Sequence, residues 1–277
     1  MTDDTDTPEA AAPEQSSPEA IESDRTLIFE QPLNERMRTF LRLDFLYSQA
    51  LYHNEAASQW GTRAAVSSLI DILAITTRSD VRSDALKELE RQLTSLGEFQ
   101  SKPGVDTNRL KSLIANLTRL RSELLNVGVA SLQPLKDSDF LNGIKHRSSI
   151  PGGTCEFDLP DYLYWLSQPD EVRVRAFNQW LSLLRPLCDA VSELIWLTRQ
   201  NGRTRQETAQ GGNFTITFER DNPLQLLRIA LPASTGLYPE VSGSHHRCNM
   251  RFLAWKGVSE RPVQADSDVK FLLTCCA

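Results

Sequence analysis

The first 24 residues contain no lysine or arginine, and after Met1 they hold one large aliphatic residue, Ile21. A stretch so rich in Asp, Glu, Pro, Ala, Ser and Thr cannot bury enough apolar surface to offset its ordering entropy, so 1–24 is expected to be a disordered acidic tail. Eight of the chain's 36 acidic residues sit there, which leaves 30 basic against 28 acidic residues in the remainder. The net charge of −6 therefore hides a folded part that is slightly basic. An excess of that size makes no general case for nucleic acid, but it leaves room for a local basic patch. No run of 18 or more apolar residues occurs, so no membrane-spanning helix is expected. A basic region followed by an apolar core is also missing from the N-terminus, so no secretory signal is expected and the reading is cytosolic. The five cysteines, Cys155, Cys188, Cys248, Cys275 and Cys276, form no CxxC pair. Their odd number fits a reducing compartment.

Catalytic patterns are missing too. The chain has no Walker loop, no GxGxxG following a strand, no HExxH and no GxSxG. Ser242-Gly243-Ser244-His245 lacks the second glycine of a nucleophile elbow. His246 and Cys248 share a face if a strand begins near His246, but two ligands are too few for a stable metal site. Cys275 and Cys276 fall on alternate faces of a strand and read as two buried thiols. Asp137 and Asp139 read as solvated loop charges. No enzyme, cofactor or metal site is expected.

Helical periodicity is abundant. A helix from about Glu35 carries Met37, Leu41, Phe45, Ser48 and Tyr52 along one stripe, with Phe40 and Leu51 beside it. Arg38 and Arg42, four apart, share a face that on periodicity alone reads as plain solvated surface. A second helix runs roughly from Thr62 to Thr77 with Val66, Leu69, Ile70 and Leu73 inward, and Arg78 at its end has an ordinary helix-end role available to it. The third starts near Ser79 or Ser83, with Leu86, Leu89, Leu93 and Leu96 as a packed seam. Asp106 caps a fourth, which Gly128 ends. Short connections argue for antiparallel packing, and leucine on more than one face suggests a subunit interface. Residues 131–150 are less regular, 150–153 form a turn and YLYWL a short aromatic helix. A further helix starts near Pro169 and Asp170, and Pro186 is expected in the first turn of yet another.

After Asn201-Gly202 the period changes to two. NFTITFE, QLLRIAL, RCNMRFLAW and DVKFLLTCC are strand candidates for a small antiparallel sheet, which TLIFE at 26–30 is long enough to join. The third candidate matters most. Arg247, Asn249, Arg251, Leu253 and Trp255 share one face, while Cys248, Met250, Phe252 and Ala254 share the other. Two guanidiniums beside an amide and two apolar groups suit a peptide with apolar anchors and a carboxylate. The same alternation also suits an ordinary half-solvated sheet face. A basic sheet can stack bases, so an RNA-binding or regulatory role is the alternative, although Phe252 and Trp255 fall on opposite faces.

Six runs then occur in order: IFEQPLNERMRTFLRLDFL (28–46), VRSDALKELERQ (81–92), PGVD (103–106), SIPGGTCEFDLP (149–160), LYPEVSG (237–243) and RCNMRF (247–252). Together they closely resemble the Z-ring-associated protein D (ZapD) family of cell division proteins, over about residues 25–277. The resemblance implies a non-enzymatic cytoplasmic homodimer at the mid-cell ring. Its α+β fold would comprise a mainly helical dimerisation core, 25–200, with 25–30 a strand of the C-terminal sheet, followed by a β-rich partner-binding domain, 201–277. Each end of the dimer would bind the C-terminal tail of the tubulin-like GTPase FtsZ, so that the dimer bundles filaments. The family's basic residues for that tail match Arg78, Arg247 and Arg251. Of a second basic surface, Arg42 matches, whereas the other two positions hold Asp139 and Leu163. Leu253 and Trp255 are the expected apolar contacts.

Overall fold

The computed structural model describes residues 25–56, 58–100, 102–218, 224–243 and 246–277. The acidic tail 1–24 and His245 lie outside them. Among the described residues the chain is α+β, with helices followed by strands in two sheets. It divides into two compact units. Of the described residues, one comprises 32–202, 224–226 and 276–277, and the other comprises 25–31, 203–218 and 227–275.

The helical unit contains α1 (Glu35–Glu55), α2 (Gln59–Arg78), α3 (Val81–Phe99), α4 (Thr107–Asn126), α5 (Gln133–Lys136), α6 (Asp139–Ser148), α7 (Pro160–Leu166) and α8 (Asp170–Gln200). Side-chain oxygens satisfy orphan amides at the starts of several of them. Asn34 accepts from the Met37 N–H at 2.8 Å, Ser58 from Gly61 at 2.9 Å, and Asp106 from Asn108 and Arg109 at 3.0 and 3.1 Å. Ser138 does the same for α6, a ten-residue helix in the stretch that had read as irregular.

Two helices differ from expectation. The buried stripe of α1 is Met37, Phe40, Leu43, Tyr47 and Ala50, while Phe45 and Tyr52 are 65% and 72% exposed. Apolar residues occur on nearly every face between 37 and 52, so period alone cannot choose the inward one; α2 and α8 choose it by packing there. Pro186 does not open a new helix but lies inside the 31-residue α8. A proline there costs about 3 kcal/mol. Phe177, Leu181, Leu184, Leu187, Val191, Leu194 and Ile195 are buried on both sides of it, and each contributes roughly 1.5–3 kcal/mol by leaving water. The helix therefore continues through the proline. It packs against α1, α3 and α4 and forms the spine of the core.

The core also encloses a charge. Glu88 of α3, 1% exposed, meets Arg91 at 2.6 Å and Arg36 of α1 at 3.0 Å, and accepts from the Gln225 amide at 3.2 Å. This cluster joins two helices to a segment almost 140 residues further along the chain.

The strand unit is built from β1 (Thr26–Pro32), β2 (Arg203–Ala209), β3 (Asn213–Thr217), β4 (Leu226–Pro232), β5 (Leu237–Gly243), β6 (Arg247–Ala254), β7 (Val263–Gln264) and β8 (Val269–Cys276), a few end residues of which belong to the helical unit. It holds two sheets rather than one small sheet, ordered β1-β4-β8-β2 and β3-β6-β5, with β7 on β6. TLIFE joins the first as its edge strand. Phe252 and Phe214 of the second sheet pack on Phe271 of the first, with ring centres 4.8 and 5.2 Å apart.

Candidate functional site

Strand β6 carries the alternation that its sequence suggests. Cys248, Met250 and Phe252 are buried, whereas Arg247, Asn249 and Arg251 are exposed. Antiparallel register extends the exposed face sideways, because residues directly opposite point the same way. Thr217 lies opposite Arg247, Thr215 opposite Asn249 and Asn213 opposite Arg251 on one side. Ser242 lies opposite Asn249 and Glu240 opposite Arg251 on the other. The Thr215 hydroxyl is 3.0 Å from the Asn249 side-chain oxygen, and Arg251 forms an ion pair with Glu240. The result is a three-strand polar surface with two guanidiniums 4 residues apart and hydroxyl and amide groups between them.

The apolar end of this surface is narrower than expected. Leu253 is half-buried, opposite Tyr238 and Gln264, and Trp255 lies one residue past the strand, 58% exposed, its N–H donating to Gly236 at 2.9 Å. Phe252, at 0% exposure, cannot stack on a base. Glu240 escaped the sequence reading. Its signal was the short run LYPEVSG, whose valine and tyrosine fit a strand pairing with the next one, but Pro239 obscured it.

His246 is exposed and Cys248 buried, so the two do not share an environment, and burial pushes the Cys248 thiol up. Among the described residues, no group of three or more His, Cys, Asp or Glu side chains is arranged to hold a metal ion.

A second basic site lies in the helical unit. Arg78 is the last residue of α2, and with Arg42 of α1 it lines a cleft of about 330 Å³ together with Phe45, Leu46, Asp71, Ala74 and Ile75. The structure thus joins Arg42, read as one part of a separate surface, to Arg78. Phe45, misread as core, is the apolar wall beside them. Neither Arg42 nor Arg78 makes a side-chain hydrogen bond or ion pair among the described residues. Partial desolvation raises the carboxyl of Asp71, the one acid lining this cleft. Asp139 begins α6 and Leu163 sits within α7, so neither adds a cation. The arginines therefore form two pairs, Arg247 with Arg251 on the strand unit and Arg42 with Arg78 on the helical unit.

The ZapD family profile, described as a cell division protein, matches residues 41–251. A cell division protein ZapD of Methylococcus capsulatus is 36% identical over 251 residues, covering 90% of this chain and 98% of that protein. Proteins of the same description from Azoarcus and Chromobacterium violaceum are 31% and 34% identical over 248 residues, again 90% of this chain and 98% of each. A profile match across most of the chain and relatives above 30% identity along their whole length lead to one assignment: this chain belongs to the ZapD family of cell division proteins.

Proposed function

We propose that this chain binds the C-terminal tail of FtsZ and, as a homodimer with two such ends, cross-links and bundles FtsZ filaments at the division ring. It acts in the cytoplasm as an adaptor and has no catalytic step of its own. The observation that carries this reading is the exposed face of β6, where Arg247, Asn249 and Arg251 stand on a floor of buried Cys248, Met250 and Phe252. A guanidinium fork grips a carboxylate through two parallel N–H donors, and a strand with a filled core behind it holds two such forks at fixed spacing. Leu253 and Trp255 would supply apolar contact at one end of the strip. Arg42 and Arg78 form a separate basic patch on the helical unit, which would offer further cations to an acidic partner. Large apolar side chains exposed on α1 and α2, Tyr52 and Trp60, support burial against a second copy. Two weak grips on one dimer become strong by avidity, because the second contact is intramolecular once the first is made.

Fluorescence anisotropy of a labelled FtsZ C-terminal peptide, titrated with wild type and with Arg247→Glu, tests this reading. The expected result is saturable binding by the wild type and a loss of at least tenfold in the variant. Equal binding by both would move the site away from β6. No binding by either, with affinity for unrelated RNA instead, would overturn the partner.

A further inference from the structure

Arg78 faces a second hollow besides the cleft it shares with Arg42. Where α2 ends and α3 begins, a cavity of about 310 Å³ opens against the C-terminal end of α4, the 3₁₀ turn Val129–Leu132, α5 and α8. Its floor is apolar: Leu124 and Leu187 are buried, and Val127, Leu132 and Leu183 are half-buried. This volume falls at the lower end of the range typical of sites that take small ligands or a single anchoring side chain.

The charges around the cavity divide into two kinds. Arg82 is committed to the fold, donating to the carbonyls of Leu124, Leu125 and Val127 at 3.1–3.3 Å and so closing the end of α4. Asp80 is committed as well, accepting from the Ser83 N–H at 3.1 Å as the cap of α3. Lys136 and Arg78 are not committed. Lys136 is half-buried at the end of α5, and neither side chain makes an ion pair or hydrogen bond among the described residues. A half-buried ammonium beside an apolar floor has lost part of its hydration without gaining a counter-charge, so an anion placed there would be stabilised more than one at an exposed lysine.

We infer that this cavity receives a large aliphatic or aromatic side chain of an acidic peptide, with a neighbouring carboxylate of that peptide held between Lys136 and Arg78. The inference rests on the reading that the partner is the FtsZ tail. It deepens that reading by giving the helical unit an apolar anchor site of its own and by adding Lys136 to the binding residues. Charge complementarity selects the occupant: two uncommitted cations on the rim of an apolar floor suit an acidic peptide with an apolar residue, and they disfavour a purely apolar partner, which would bury them unpaired.

The test uses the full chain and two variants with different physical effects. A Cβ built at Gly128, which lines the cavity, meets nothing within 4 Å, and its φ of −64° suits any residue, so Gly128→Phe adds bulk at the cavity wall with no clash at its Cβ. Lys136→Glu inverts the rim charge. Anisotropy titrations of the FtsZ C-terminal peptide should show each variant weakened at least tenfold, with thermal melts and light-scattering mass unchanged. A peptide with its large apolar residues replaced by alanine should bind wild type at least tenfold more weakly and be insensitive to Gly128→Phe, because the two changes remove the same contact. Wild-type binding with both variants unaffected overturns the cavity and leaves the FtsZ reading standing. Failure of the wild type to bind overturns both. A change of oligomeric mass with unchanged peptide affinity would assign the cavity to a second copy of this chain, against the inference.

Discussion

Glu88 shows how a single residue can hold helices together through chemistry that its own surroundings in sequence conceal. It lies among polar and leucine positions of α3, yet it is 1% exposed and touches Arg36, Arg91 and Gln225. Burial alone would raise its carboxyl, but the hydrogen bond and charge of Arg91, the amide of Gln225 and the charge of Arg36 hold it below the ordinary glutamate range. The direction fixes the pH dependence. A carboxyl whose folded value is depressed contributes stability that is fully present above its unfolded value and is lost as pH falls through the folded one. Glu88→Gln should therefore cost about 2 kcal/mol at neutral pH. This lies below the usual range for breaking a buried pair because Arg36 and Arg91 keep some water. Denaturant titrations at stepped pH should show the gap between wild type and variant closing under acid; a gap independent of pH would contradict the account. The local sequence offers only Arg91, three residues on; it could not reveal the cluster, because Arg36 comes from α1 and Gln225 from far along the chain. The β6 residues were legible for the opposite reason. Alternation is a property of one strand, so Arg247, Asn249 and Arg251 could be placed outward before any partner strand was known.

Among the elements, the β5–β6 hairpin is the one on which the candidate site depends most. Gly243 ends β5 with φ of +149°, and a Cβ there would lie 2.2 Å from the Arg247 carbonyl oxygen and 2.7 Å from the Cys248 Cα. The glycine lets the two backbones approach where the basic strand begins. Gly243→Ala should destabilise the fold by about 1–3 kcal/mol through backbone strain and displace Arg247. Peptide affinity measured well below the variant's melting temperature should therefore fall several-fold, together with a lower melt. An unchanged melt would mean that the hairpin relaxes freely and that glycine has no special place there. Legibility also varied among elements. Caps such as Asp106 were readable because a short polar residue before an apolar run has one favourable use. The inward face of α1 was not, since Phe45 and Tyr52 are as apolar as the residues that packing selected. Pro186 misled because a local preference of about 3 kcal/mol is outweighed by the burial along α8, a quantity the local sequence does not show. The cavity at the α2–α3 junction draws its walls from five separate segments, so no one stretch announced it.

At the scale of the whole molecule, family membership places the chain in cell division, and the proposed role requires something a single binding site cannot do. Bundling needs two ends on one particle, so peptide binding and filament cross-linking should separate under mutation. A variant impaired at the basic face should remain a dimer and fail to bundle, because the proposed self-association surface, around Tyr52 and Trp60, uses other residues than the arginine face. The decisive measurement is light scattering of FtsZ polymerised with GTP in the presence of wild type or Arg251→Glu, with the mass of each protein measured alone beforehand. The expected result is bundling by the wild type, none by Arg251→Glu, and the same dimeric mass for both. Bundling by the variant at wild-type level, or loss of its dimer, would contradict the assignment of Arg251 to an outward face that grips the filament.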